Sequence, residues 1–521
     1  MTTRPTLAGT RAMNARRSSL ILIAAAGMAC LLGLAVGSHP VLVVLPALAA
    51  IPFVFWQRPQ YAVVALLGAS TLVEQWGYTV DGRNGAFTDR VPFFRTIAHG
   101  TFILPVEVLI VMALVIWVLK SGLEGSLNLP LSPVAKCLAA MWVLLFIGTG
   151  VGLSHGAQLK NSLWEIRPWL LLSLGYVLAA ALLRTRRALD AILWTLVVGS
   201  GFKAIQGTYI FFAFARGMRP RPEAILGHEE AFFFGVFVVV TAALWLYGIQ
   251  GRLRWTATAL LPFVLLADMA NSRRVAWLIL GASLATLTAI AWVTLPHRRR
   301  VLGRVLAVVV VGGAVYLPAY WNHSGTLAQP ARAVRSLISP NQRDQASDLY
   351  RQQEDANLLI NIQSSGRFGR GFGIPIAYVA PIADISGIDQ MIAYIPHNGL
   401  LWVWLRLGIQ GEIVLLGLVS AALIRACQLA RAKDPKLALF GAVGACTVVA
   451  YVLMGYNDLG FAWLRIALGV GCLLGAVEAA TRLVPPAGLE VANPVDSGEA
   501  RPVEGPGSRP RRHPAPARAG A

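Results

Sequence analysis

The 521-residue sequence is poor in charge and poorer still in acids: Asp, Glu, Lys and Arg make up 13% of it, and 25 acidic residues face 45 Lys and Arg. Soluble domains carry about 25% charged residues, so a soluble enzyme, a coiled coil and a disordered scaffold all fit poorly. Cysteine is also scarce. Cys30, Cys137, Cys427, Cys446 and Cys472 fall in apolar segments or beside basic loops, with neither a disulfide framework nor a Cys-x-x-Cys metal pair. There is no Asp-x-Asp on a candidate outer loop, no His-Glu-x-x-His and no Gly-x-x-x-x-Gly-Lys-Ser/Thr. Metal-dependent sugar transfer, zinc hydrolysis and nucleotide-driven transport therefore lack their usual ligands, and neither a metal nor another cofactor is expected.

Apolar sequence is abundant, at 56% of residues with a mean hydropathy of +0.61. A helix crosses the bilayer core in about 20 residues, and roughly fourteen segments meet that length. They lie near 20–37, 40–56, 60–76, 101–119, 134–152, 168–183, 188–215, 230–248, 256–270, 275–295, 301–320, 408–425, 437–455 and 459–478. The expected fold class is an all-α polytopic membrane protein with about 12–14 transmembrane helices. The basic start (Arg4, Arg11, Arg16, Arg17) runs into an apolar stretch of spanning length and reads as a retained signal anchor.

Fixing the N-terminus in the cytoplasm assigns a side to every loop. Of the net charge of +20, about +18 then falls on the inner face, the bias that insertion requires, so the basicity does not call for nucleic acid. The expected organisation is a cytoplasmic segment 1–19, helices 1–11 over 20–320, a large external loop 321–407, helices 12–14 over 408–480, and a disordered cytoplasmic tail 481–521 rich in Pro, Gly and Arg. An external connection of roughly 75 residues is too long to be passive. It is expected to hold a helix from Asp344 to Ile362, followed by a glycine-rich turn, Gly369-x-Gly371-x-Gly373.

Charges on the side that topology disfavours invite a functional reading. Arg273 and Arg274 sit in the short outer turn Asn271-Ser272-Arg273-Arg274, Arg167 in Trp164-Glu165-Ile166-Arg167, and Arg351 in Tyr350-Arg351-Gln352-Gln353-Glu354. A fourth cluster, Arg216, Arg219 and Arg221, is balanced on paper by Glu223, Glu229 and Glu230. Arginine's planar fork of donors suits phosphate oxygens, whereas the plainer reading is headgroup contact or pairing with acids such as Asp268 and Glu165. His397, in Pro396-His397-Asn398-Gly399, follows the long loop. A histidine there is commonly only a helix cap, yet it titrates near neutrality and can take a proton from an attacking hydroxyl, with Asn398 orienting it or the acceptor.

Taken in order, Asn271-Ser272-Arg273-Arg274, the outer loop with Tyr350-Arg351 and Gly369-Arg370-Gly371-Phe372-Gly373, then His397-Asn398-Gly399-Leu400-Leu401 and Leu407-Gly408-Ile409-Gln410-Gly411 resemble the O-antigen ligase and Wzy polymerase superfamily over roughly residues 160–425. The resemblance implies a GT-C-like membrane glycosyltransferase in the bacterial inner membrane, with both termini cytoplasmic. It would move a glycan from a polyprenyl-diphosphate donor to an acceptor hydroxyl on the outer face without metal or cofactor. It further implies diphosphate contacts from Arg273, Arg274, Arg167 and Arg351, catalysis by His397 with Asn398, and partners comprising the lipid-linked donor, a glycan, lipid or protein acceptor, membrane lipids and other polysaccharide-assembly proteins. Gly227-His228-Glu229-Glu230 stands where the family has an Asn-Pro-Asn-like helix start, and Arg274 where a small residue often follows. The rival classes are a secondary transporter or flippase of lipid-linked glycans, with Lys203 as its best intramembrane charge, and a glycan-binding sensor.

Overall fold

The computed structural model describes residues 50–484 apart from 83–84, 97–101, 126, 128–129, 220–221, 223 and 384–389. Among the described residues every regular element is a helix. Residues 50–57 are helical, and then follow α1 (Gln60–Leu72), α2 (Pro105–Leu123), α3 (Pro133–Ser154), α4 (Leu159–Leu182), α5 (Arg186–Ala213), α6 (Glu230–Leu246), α7 (Arg252–Asn271), α8 (Arg274–Thr294) and α9 (Arg299–Tyr320). The long connection contributes α10 (Gln329–Ile338), α11 (Gln342–Gln363) and α12 (Gly399–Leu407), and the chain returns to α13 (Ile409–Leu429), α14 (Pro435–Asn457) and α15 (Leu464–Thr481).

Ten of these helices are long and apolar enough to cross a membrane, and α1 and α6 are shorter apolar helices, so the chain is a polytopic helical membrane protein. Twelve of the fourteen expected segments coincide with described helices. The first, 20–37, lies outside the described residues, the second is described only from residue 50, and the tail beyond 484 is likewise outside them.

Burial sorts the helices into a centre and a rim. Along its span α15 is 94% buried, and α4 and α14 are each 83% buried, whereas α9 is 6% buried and packs lightly against α8 and α10. The closest pairing joins α15 to α4. It depends on Gly471-Cys472-Leu473-Leu474-Gly475: a Cβ at Gly471 would stand 2.2 Å from the Leu172 carbonyl oxygen, and one at Gly475 2.4 Å from that of Tyr176. Lipid offers helices no hydrophobic drive toward one another, so close backbone approach through small residues supplies the dispersion contact instead.

The connection 321–407 is ordered by side-chain amides and by one buried ion pair. Asn341 caps α11 by accepting from the Asp344 amide at 2.8 Å. Farther along α11, Asn357 accepts from Val379 and Ala380, and Asn361 accepts from Ala377, fastening the returning chain to the helix. The glycine-rich turn is not a nucleotide loop but a close-packed knot. Gly371 has φ +78°, and a Cβ there would lie 2.2 Å from the Gly152 amide nitrogen of α3, so both conformation and space demand glycine.

Below the knot, Glu165 of α4 accepts from the Gly373 amide at 2.8 Å and from the Trp402 indole at 3.1 Å, and it lies 2.6 Å from the Arg406 guanidinium. Arg406 donates in turn to the carbonyls of Gly371, Ile374 and Tyr394. Glu165 and Arg406 are both fully buried, and among the described residues each is the other's ion-pair partner. Arg406→Ala should lower unfolding stability by about 3–5 kcal/mol, because it strands a buried carboxylate. Thermal unfolding of the detergent-solubilised protein checks this, with an exposed arginine such as Arg219→Ala expected to change little.

Candidate functional site

The turn Asn271-Ser272-Arg273 is shaped locally by a helix break. α7 ends at Asn271, and Ser272 adopts φ 52°, the only non-glycine residue with positive φ among the described residues. A left-handed serine costs of order 1–3 kcal/mol and persists only where its surroundings hold it. Asn271 provides that hold. Fully buried, it accepts from the amides of Ile225 and Leu226 at 3.2 and 3.0 Å and donates to the Gly227 carbonyl at 3.1 Å. The same side chain thus ties the end of α7 to the segment leading into His228.

Above this turn lies a cavity of about 770 Å³. Arg273 and Arg274 from the start of α8, Arg332 from α10, and Arg343 and Arg351 from α11 line it, against Asp344, Asp348 and Asp458. Five arginines against three aspartates leave an excess of two positive charges before His228, also on the wall, is counted. Its apolar lining is formed by Val275, Trp277, Leu278, Gly281 and Ala282 along two turns of α8 and by Val334 and Leu337 of α10. Cationic groups and apolar side chains lining one cavity suit an amphiphilic anion.

The arginines differ in how far they are committed. Arg274 is paired with Asp348 at 2.8 Å and lies 3.7 Å from Asp344. Arg351 forms no ion pair among the described residues. Arg167 does not line the cavity. It is ion-paired to Glu107 of α2 at 2.6 Å, donates to the Phe102 carbonyl and stacks its guanidinium over Trp164 at 4.7 Å. Arg167 thus stands apart from the other three arginines, and its acid partner is Glu107 where Glu165 was suggested, because Glu165 belongs to Arg406.

His397 sits beside the cavity rather than on its wall. Its Nδ1 lies 3.1 and 3.3 Å from the two Glu354 oxygens, and its backbone amide donates to Glu354 at 2.9 Å. Tyr350 meets the ring edge-on with centroids 5.6 Å apart. Asn398 is buried and accepts from the Leu401 amide at 3.2 Å, capping α12, while also hydrogen-bonding Asp355. The hydrogen-bond partner of His397 is Glu354, a residue the sequence offered only as the end of the Tyr350-Arg351 stretch. Glu354 lies one helical turn after Tyr350, so both meet His397 from one face of α11.

Burial by itself would depress the His397 pKa, but the hydrogen bond and charge of Glu354, with Asp458 farther off, outweigh it and hold the imidazole above its ordinary 6.5. By linkage, the stability that this bond adds is fully present below the unfolded value and is lost as pH climbs through the raised one. Asp458 shows the converse. Burial would raise it, yet His228, whose Nδ1 lies 2.9 Å away, together with His397 and Arg351, keeps it well below the usual carboxylate range.

The cluster Arg216, Arg219, Glu229 and Glu230 is not drawn together as expected. Arg216 stacks over Phe212 at 5.7 Å, while Glu230 and Glu229 pair with Arg465 at 2.8 and 3.7 Å; Arg221 and Glu223 lie outside the described residues. Lys203 pairs with Glu74, bonds Thr88 and lies 3.9 Å from Glu230. Gly152-Leu153-Ser154-His155-Gly156 has the Gly-x-Ser-x-Gly spacing of hydrolase nucleophiles, but it closes α3 instead of joining a strand to a helix, and the Ser154 hydroxyl donates to the Val151 carbonyl. No group of three or more His, Cys, Asp or Glu side chains among the described residues is arranged to hold a metal ion.

Asn271→Ala should cost about 1–3 kcal/mol, since it orphans the backbone groups around residues 225–227, whereas Ser272→Gly should be neutral or stabilising. Thermal unfolding of the two variants in detergent distinguishes them. No family model matches the chain and no curated protein matches it in sequence, so the reading of this site stands on its geometry and chemistry.

Proposed function

We propose that the protein is a membrane glycosyltransferase of the polysaccharide polymerase or O-antigen ligase type. It would move a glycan from a polyprenyl-diphosphate donor to an acceptor hydroxyl on the outer face of the plasma membrane. One observation carries this reading: a cavity lined by Arg273, Arg274 and Arg351 together with apolar side chains of α8 and α10 lies next to a histidine paired with a buried carboxylate.

Each part has a task. The apolar stretch of α8 accepts the lipid, and the guanidinium groups hold the diphosphate. Positive charge there stabilises what develops as the bond from sugar C1 to phosphate oxygen breaks, because the departing diphosphate gains negative charge in the transition state. His397, oriented through Nδ1 by Glu354, leaves its other ring nitrogen to take the acceptor proton. GT-C-like architecture, lipid and glycan partners and the outer-face location belong to this proposal.

The rival transporter reading draws less support than Lys203 suggested. The partners of Lys203 are Glu74 just past α1, Thr88 in a loop and Glu230 at the start of α6, which is a knot of helix ends and not a charge isolated within a span.

His397→Ala should abolish consumption of the lipid-linked glycan while the protein stays inserted and abundant, and Arg273→Ala should mainly raise the donor concentration needed. Both are read by following lipid-linked glycan in membranes that carry each variant; full activity of the histidine variant would overturn the assignment. Glu354→Gln should move the acid limb of the transfer rate to lower pH, because an imidazole without its carboxylate keeps its neutral, basic form further into the acid range. A pH profile at saturating donor gives the answer.

A further inference from the structure

We infer that His228 is the second acid–base group of the cavity and that it gives its Nε2 proton to the diphosphate as that group departs. This inference rests on the glycosyl-transfer reading above. His228 belongs to none of the motifs that suggested that reading, and three independent features place it there. Its side chain lies on the cavity wall and is 38% exposed. Asp458 fixes the ring, with Oδ2 2.9 Å from Nδ1, and the carboxylate is itself held by the Leu459 amide, which donates to Oδ1 at 2.8 Å. Trp463 stacks on the ring at 6.3 Å, and Asn271 grips the three residues before it. Nε2 makes no hydrogen bond to a described residue. A ring clamped on one nitrogen by a buried anion, with its other nitrogen unbonded and its side chain on the wall of an arginine-rich cavity, is built to donate a proton there.

The surrounding charges make that proton conditional on the donor. Around the ring stand Asp458 at the end of α14, Arg273 and Arg274 opening α8, Arg332 of α10, Arg343, Asp344, Asp348 and Arg351 of α11, and Glu229 beside it in sequence. A bound diphosphate adds negative charge next to Nε2 and tips the balance toward imidazolium, so donor binding draws a proton onto His228.

In the reaction the acceptor oxygen bonds to C1 of the donor glycan and loses its proton to His397. The bond from C1 to the phosphate oxygen breaks, its electron pair stays on that oxygen, and the His228 proton goes to it. His228 is reprotonated from water and His397 is deprotonated to water, so protons balance over a turnover.

The test uses the full chain in lipid nanodiscs with farnesyl diphosphate as the binding probe, and membranes carrying the endogenous lipid-linked glycan for transfer. Calorimetry in buffers of different ionisation enthalpy should show proton uptake on farnesyl diphosphate binding that His228→Gln removes while binding persists. The same variant should slow transfer by about a hundredfold or more and erase the alkaline limb of the wild-type pH profile. Wild-type proton uptake in His228→Gln, or a transfer rate within about threefold of wild type with an unchanged profile, overturns the inference. If His228→Gln does not insert, Asp458→Asn replaces it: loss of the anion should move the alkaline limb to lower pH, and an unmoved limb overturns the inference. Should His397→Ala lose transfer while His228→Gln keeps it, only the His228 role falls; should the wild type consume no lipid-linked glycan, both readings fall.

Discussion

The Glu165–Arg406 ion pair is the constraint on which the arrangement of the long connection depends. Two full charges at zero exposure survive only with excellent geometry and with their remaining hydrogen-bonding capacity satisfied. The chain meets that demand by folding its own backbone around them. The Gly373 amide and the Trp402 indole serve Glu165, and the carbonyls of Gly371, Ile374 and Tyr394 serve Arg406. The pair therefore ties α4, the glycine-rich knot and α12 into one unit. It anchors the far end of α12, the helix that His397 and Asn398 precede.

A second polar knot does comparable work among the helix ends. Arg465 at the start of α15 holds Glu230 and Glu229 at the start of α6 and donates to the Ser70 carbonyl of α1, while Lys203 of α5 joins Glu74 to the group. Dispersion between apolar helices specifies neither register nor partner sharply, whereas buried charges that must find one another do. Neither knot contributes to the cavity, which has its own surplus of arginine and is lined by α8, α10 and α11. The segment carrying His228 is held between the second knot, through Glu229 and Glu230, and the turn of Asn271. Catalytic constellations need support of this kind, because a group displaced by an ångström loses most of its effect.

Helix positions were legible because twenty apolar residues in a row admit few other structures: described helices match twelve of the fourteen expected segments, and the expected Asp344–Ile362 helix is Gln342–Gln363. The glycine-rich stretch was legible as a turn, since three glycines spaced by two call for positive φ and all three adopt it. The motif residues Arg273, Arg274 and Arg351 do line one cavity. What could not be read from sequence was pairing. Arg167 and Glu165 are two residues apart on α4, and on a helix such neighbours point to different faces, so each found its partner on another element, Glu107 and Arg406. His228 and Asp458 are separated by 230 positions, and no local pattern links them.

The sequence by itself determined that the chain is a polytopic helical membrane protein, where its helices run and which short polar stretches interrupt them. Those properties follow from the local cost of placing backbone and charge in hydrocarbon, which each segment incurs on its own. Only the tertiary structure decided which charges neutralise one another, that Glu354 hydrogen-bonds His397, that Arg167 pairs with Glu107 away from the cavity, and that His228 shares the cavity with the arginines. Those outcomes depend on distances between segments remote in sequence, and a buried charge is matched by whichever partner the packing brings within reach.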